Sequence, residues 1–176
     1  MSSFRVQNGE GIIPEGTKII NSNAFAGPSC SGLTRITIPE SVTWIGLWAF
    51  DGCTGLTSIV IPESVTAIES ESFFGCTGLT SIVIPDSVTS IGFRAFEGCT
   101  GLTEIVIPHS VNAIDTYAFY GCSALVSIFL TRPIPHIDST AFEECPNLRH
   151  VFVPFGMVEQ IKECLPANLK GIITEQ

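Results

Sequence analysis

Leu56-Thr57-Ser58-Ile59-Val60-Ile61-Pro62-Glu63-Ser64-Val65-Thr66-Ala67-Ile68, running on through Phe73 to Cys76-Thr77-Gly78, is one unit of a sequence that repeats itself. Six cysteines (Cys30, Cys53, Cys76, Cys99, Cys122 and Cys145) stand 23 residues apart. Phe50, Phe73, Phe96, Phe119 and Phe142 keep that step, as do Pro39, Pro62, Pro85 and Pro108. Phe25 leads Phe50 by 25 because Gly27-Pro28-Ser29 adds two residues. Units begin at Leu33, Leu56, Leu79, Leu102, Leu125 and Leu148, after a partial one over Ile12 to Gly32. A fixed period of this size marks a stacked-repeat architecture, in the 20–29 range of leucine-rich repeats.

Each unit reads physically. Thr57 to Ile61 is β-branched, with Leu56, Ile59 and Ile61 at inward positions, so it predicts a short strand. Pro62 lacks an N–H for the ladder and ends it. Val65 to Ile68 predicts a second extended piece. Ser70 to Phe74 predicts one tight helical or 3₁₀ turn with Phe73 at its centre, and Gly75 and Gly78 frame the corner. One coil cannot bury its own apolar residues, whereas stacked coils share a core. Strands of successive coils should then form two parallel ladders at about 4.8 Å spacing.

The pattern L-x-x-I-x-I-P-x-S-V-x-x-I-x-x-x-A-F-x-G-C, as in Ala95-Phe96-Glu97-Gly98-Cys99, resembles the BspA-like, treponemal-type leucine-rich repeat over about residues 12–154. The resemblance implies a mainly-β repeat solenoid: a right-handed coil with parallel β ladders, short helical or 3₁₀ turns and a C-terminal cap helix. It also implies a binding module, often at microbial or parasite surfaces in contact with host proteins, without enzyme activity. Residues 1–176 divide into an N-terminal cap (1–11, with Asn8-Gly9 as a turn signal), about six repeats (12–154) and a C-terminal cap (155–176). In that cap Gly156 to Leu165 predicts a helix with Met157, Val158, Ile161, Cys164 and Leu165 on one face. Thr131-Arg132-Pro133-Ile134-Pro135 replaces the usual Pro-x-Ser-Val-x and predicts a local departure.

Composition narrows function. Lys+Arg 8 against Asp+Glu 17 leaves a net charge of −9, the wrong sign for nucleic acid. Mean hydropathy is +0.41, yet no apolar run nears the roughly 18 residues of a membrane span. Met1-Ser2-Ser3-Phe4-Arg5 does not open a signal peptide. Localisation is therefore open: cell surface or secreted by resemblance, cytoplasmic as the alternative. The cysteine column predicts buried thiols acting as small hydrophobes, because ladder side chains run parallel rather than facing one another.

His109, His136 and His150 occupy three different repeat positions, and no zinc-type spacing is present. Gly27 to Gly32 has phosphate-loop glycine spacing, but Leu33-Thr34 follows instead of Lys-Ser/Thr. No catalytic, metal or cofactor residue is assigned. The column Thr34, Thr57, Thr80, Thr103 has the spacing of ice-binding solenoids but no second threonine rank beside it.

Two surfaces are candidates for a protein partner. Outward strand positions, expected on the concave face, are Arg35, Thr37, Val60, Val83, Glu104, Val106, Phe129, His150 and Phe152. They include a stripe that turns from Thr37 through valines to Phe129 and Phe152, and contiguous exposed apolar surface marks interfaces. The alternative is the turns, with Trp44, Trp48, Phe93, Tyr117 and Tyr120 as aromatic anchors. Between Arg35 and Arg94 lie Glu40, Asp51, Glu63, Glu69, Glu71 and Asp86 with no Lys or Arg, which favours a partner with a basic patch. A self-associating scaffold, and hence a homo-oligomer, is the competing reading.

Overall fold

The computed structural model describes residues 4–30 and 32–176. Met1–Ser3 of the expected N-terminal cap, and Ser31, lie outside the described residues. In chain order the strands are β1 (Arg5–Gln7), β2 (Glu10–Ile12), β3 (Ile19–Ile20), β4 (Arg35–Ile36), β5 (Trp44–Ile45), β6 (Ser58–Val60), β7 (Ala67–Ile68) and β8 (Ser81–Val83). There follow β9 (Ser90–Ile91), β10 (Glu104–Ile107), β11 (Ala113–Ile114), β12 (Ser127–Leu130), β13 (His136–Ile137), β14 (His150–Val153) and β15 (Ile173–Glu175).

Each coil from β2–β3 to β12–β13 gives one strand to each of two ladders. The first runs β1-β2-β4-β6-β8 and then β10-β12-β14-β15; the second runs β3-β5 and then β7-β9-β11-β13. Pairing is parallel except at the β1–β2 hairpin, and Ser58 meets Ser81, Glu104 meets Ser127, and Ala67 meets Ser90. This is the register that a 23-residue coil dictates. The ladders are not continuous sheets as expected: regular pairing lapses between β8 and β10 and between β5 and β7.

Inward residues fill one shared core. Leu33, Leu56, Leu79, Leu102 and Leu125 are completely buried. Phe4, Phe25, Phe50, Phe73, Phe96, Phe119 and Phe142 form a column of near-parallel rings with centroids 5.0–5.4 Å apart. Burying a phenylalanine contributes about 1.5–3 kcal/mol, and offset stacking about 0.5–1.5 kcal/mol more. Polar groups repeat as faithfully. The hydroxyls of Ser87 and Ser110 donate to the carbonyls of Val65 and Val88 at 2.6 Å, and those of Thr57 and Thr80 donate to Thr34 and Thr57. The threonine column thus ties coil to coil.

The tight turns differ from the expected helical or 3₁₀ form. Only the first unit has a 3₁₀ helix, at Gly27–Cys30. The next four turns each carry two left-handed residues, such as Glu71 (φ 55°) and Gly75 (φ 64°), and the last carries Glu144 (φ 56°), which no right-handed helical run can contain. Cross-coil hydrogen bonds impose this, for instance Glu71 N–H donating to Phe93 and Arg94 N–H donating to Thr116.

Both ends of the stack depart from the repeat. Asn8 (φ 52°) and Gly9 (φ 81°) make the turn that folds β1 back on β2, so the first rung is protected by an antiparallel hairpin. At the other end α1 (Val158–Cys164) buries Ile161 against the core, with Leu165 just beyond it. A 3₁₀ segment (Ala167–Ile172) then leads into β15, which adds a strand to β14 and was not expected from sequence. The irregular segment near Arg132 keeps register, since β13 pairs with β11. Pro133 stands where other coils have the linking serine. The Arg132 guanidinium takes over the linkage, donating to the carbonyls of His109 and Val111 and to Asn112 Oδ1.

Candidate functional site

The outward face of the first ladder gathers nearly every residue expected there. Arg35, Thr37 and Glu104 are exposed, and Arg35 pairs with Glu10 at 3.4 Å. Val60, Val83 and Val106 are 62%, 58% and 52% exposed, high for valine in a strand. Cross-strand register carries Val106 onto Phe129 and Phe129 onto Phe152. Those two rings stack with centroids 4.8 Å apart, and the His150 imidazole stacks on Phe152 at 5.3 Å. The stripe therefore ends in a three-ring cluster. Its phenylalanines are half-buried against each other, while the valines leading to it are open. Ile12, 45% exposed, extends the stripe at its other end. That residue was readable, since Ile12 leads Thr37 by the same 25 residues as Phe25 leads Phe50.

The turn aromatics divide into two groups. Trp44 lies on β5 rather than in a turn, and its indole N–H donates to Glu69 Oε1 at 3.0 Å. Trp48 sits in a left-handed turn two coils before Arg94. Phe93, Tyr117 and Tyr120 do converge. The Arg94 guanidinium lies over Phe93 at 5.0 Å and over Tyr117 at 5.7 Å, and Tyr117 meets Tyr120 edge to face at 5.2 Å. Arg94, Glu97, Tyr117, Tyr120 and Glu143 line a concavity of about 350 Å³.

Its electrostatics are lopsided. Arg94 Nε and Glu97 Oε2 are 3.1 Å apart and closed to solvent, yet no aligned hydrogen bond joins them. Burial pushes the Glu97 carboxyl up; Arg94 opposes the rise and the Glu71 carboxylate adds to it. The Tyr120 phenol is raised by desolvation and by Glu144, Glu97 and Glu143 around it. Sequence reasoning named the aromatics but not the charged residues among them. The step from Glu97 through Tyr120 to Glu143 was present as a column, but nothing in it pointed to a cavity.

Another hollow, of about 540 Å³, lies between the second ladder and α1, with Asp115, His136, Asp138, Glu163 and Cys164 among its lining. Among the described residues no group of three or more His, Cys, Asp or Glu side chains is arranged to hold a metal ion, and no helix is long and apolar enough to cross a membrane.

Comparison with known proteins gives these features a context. A family model described as BspA type leucine rich repeat region matches in 6 copies, over residues 9–80 and 49–172. A leucine-rich repeat protein of T. pallidum is 34% identical, with a TM-score of 0.69 over 88% of this chain and 74% of its own. A leucine-rich repeat protein of Bacteroides ovatus is 26% identical, TM-score 0.66, over 92% of this chain; the chain spans only 48% of that protein. A leucine rich cell surface protein of Faecalibacterium prausnitzii shares the fold at 22% identity and TM-score 0.52, over 87% of this chain and 55% of its own. None of the curated proteins matches the chain.

Proposed function

Given that the chain belongs to the BspA-type leucine-rich repeat family, whose repeats generally serve protein interaction, we propose that it is a non-enzymatic recognition module of a surface or secreted, adhesin-like protein that contacts host proteins. The observation that carries this reading is the stripe from Val60 through Val83 and Val106 into the Phe129–Phe152–His150 cluster. Side chains on a parallel ladder are held at fixed spacing, so the stripe is preorganised and loses little entropy when covered. Aromatic clusters of this kind act as anchors, and the valines beside them exclude water. The net charge of −9 favours a partner with a basic patch.

The test is surface plasmon resonance against a panel of host extracellular proteins, using the wild type and Phe129→Ser/Phe152→Ser. Both rings face outward, so the variant keeps the core. Binding at least tenfold weaker, with an unchanged melting temperature, supports the ladder face; equal binding overturns it. Antibody labelling of intact cells tests the surface placement.

Self-association has one observation in its favour. β15 is the last strand of its sheet, so its outer edge has no partner among the described residues. Sedimentation at high concentration decides it: a monomer throughout rules this reading out.

A further inference from the structure

We propose that the concavity formed by Arg94, Glu97, Tyr117, Tyr120 and Glu143 is a second recognition subsite, which takes the lysine or arginine side chain of a basic protein partner. The inference rests on the protein-binding reading above but concerns the turn face rather than the ladder face.

The pocket wall already pairs a cation with aromatic rings. Its own Arg94 guanidinium lies over two aromatic rings, at 5.0 Å from Phe93 and 5.7 Å from Tyr117. This is the geometry by which an aromatic face attracts a cation. The Glu97 carboxylate lies 3.1 Å from the Arg94 Nε. Charge in the lining does not balance. Two carboxylates, Glu97 and Glu143, stand against one guanidinium, and Glu71 and Glu144 lie close enough to act on Glu97 and Tyr120. An anion entering here would meet a lining with more negative than positive charge. A cation would find the Glu143 carboxylate, which has no ion-pair partner among the described residues, and the Tyr120 ring.

Size and shape select among cations. About 350 Å³ is near the lower end of ligand pockets and suits one long side chain. The lining belongs to no group of three or more His, Cys, Asp or Glu side chains able to hold a metal ion among the described residues. An extended basic side chain can lay its methylenes on Tyr120 and place its charge beside Glu143, which a compact hydrated ion cannot do.

The test is an amide chemical-shift titration of the intact chain with capped tripeptides carrying a central arginine, lysine or glutamate. The arginine and lysine peptides should give saturable shifts at Tyr117, Tyr120 and Glu143, and the glutamate peptide none. Glu143→Gln, an exposed change that leaves the core alone, should weaken the response about fivefold. Phe129→Ser/Phe152→Ser should leave it unchanged. Absence of saturation, an equal response to the glutamate peptide, or wild-type titration of Glu143→Gln each overturns the proposal. The ladder-face variant separates the two readings. If it loses the partner while the basic peptides fail to bind, the subsite falls and the ladder face stands; if the peptides bind and the variant keeps its partner, the reverse holds.

Discussion

The Sγ of Cys99 lies 3.2 Å from the carbonyl oxygen of Phe73, one coil earlier. The same contact links Cys53 to Phe25, Cys76 to Phe50, Cys122 to Phe96 and Cys145 to Phe119. Except at Phe25, each thiol donates weakly to a carbonyl that also accepts the N–H of its own coil's cysteine, as Phe73 accepts from Cys76. All seven cysteines are free. Burial raises the thiols of Cys99 and Cys122 well above the ordinary range and pushes Cys145 up to about 11, so the reactive thiolate is suppressed. Cys164, half exposed on α1, is outside the column. Thiol labelling of the native protein at pH 8 should therefore modify Cys164 first, with all seven reacting in denaturant. Fast native labelling of the column would contradict this packing.

Ser72 stands where other coils have Ala49, Ala95, Ala118 and Ala141, and like them it is fully buried. Its hydroxyl has no hydrogen-bond partner. A buried unsatisfied hydroxyl costs about 1–3 kcal/mol, so Ser72→Ala should stabilise the protein by about 1 kcal/mol. The midpoint of urea unfolding should rise at unchanged slope. A fall would mean the hydroxyl does have a partner.

Glu144 has φ 56° where Gly52, Gly75, Gly98 and Gly121 occupy the equivalent left-handed place. A side chain there costs roughly 1–2 kcal/mol, offset in part by the greater freedom that glycine loses on folding. Glu144→Gly should gain about 0.5–1 kcal/mol, seen as a higher melting temperature. Glu144→Ala, which keeps the Cβ, should recover little of that gain.

Asp138 is the carboxylate whose pKa is lowered. The Thr140 hydroxyl donates to its Oδ1 at 2.5 Å and the Thr140 N–H at 2.9 Å, and both favour the charged form. A depressed folded pKa adds stability above the unfolded value, and that stability is lost as pH falls below it toward the folded value. Asp138→Ala should thus be less stable than wild type at pH 7, with the gap narrowing below the ordinary aspartate range near pH 3.8. A gap independent of pH would show that the carboxylate's charge plays no part.

Much of the fold was legible because the same packing problem is solved in every coil. Leu56, Ile59, Ile61 and Phe73 announce the inward positions by recurring, and Asn8-Gly9 announces its hairpin turn. β15 was missed because Ile173-Thr174-Glu175 is too short and unrepeated to signal a strand without β14 beside it. The left-handed turns were missed for a different reason. Trp48, Glu71, Arg94 and Tyr117 are not residues that favour such a conformation, and what holds most of them is a hydrogen bond to the next coil, as from Trp48 N–H to the Ser70 carbonyl.

The sequence by itself determined the 23-residue coil, its parallel register, the phenylalanine and cysteine columns and the helix that closes the end. Those follow from local burial, which each unit repeats. Only the tertiary structure decided which outward residues meet. Phe129, Phe152 and His150 come together, as do Phe93, Arg94, Tyr117 and Tyr120, while Trp44 and Trp48 are left out. Outward positions carry no repeated constraint of their own. Their neighbours are set by coil-to-coil stacking and by the direction each side chain takes from its strand or turn.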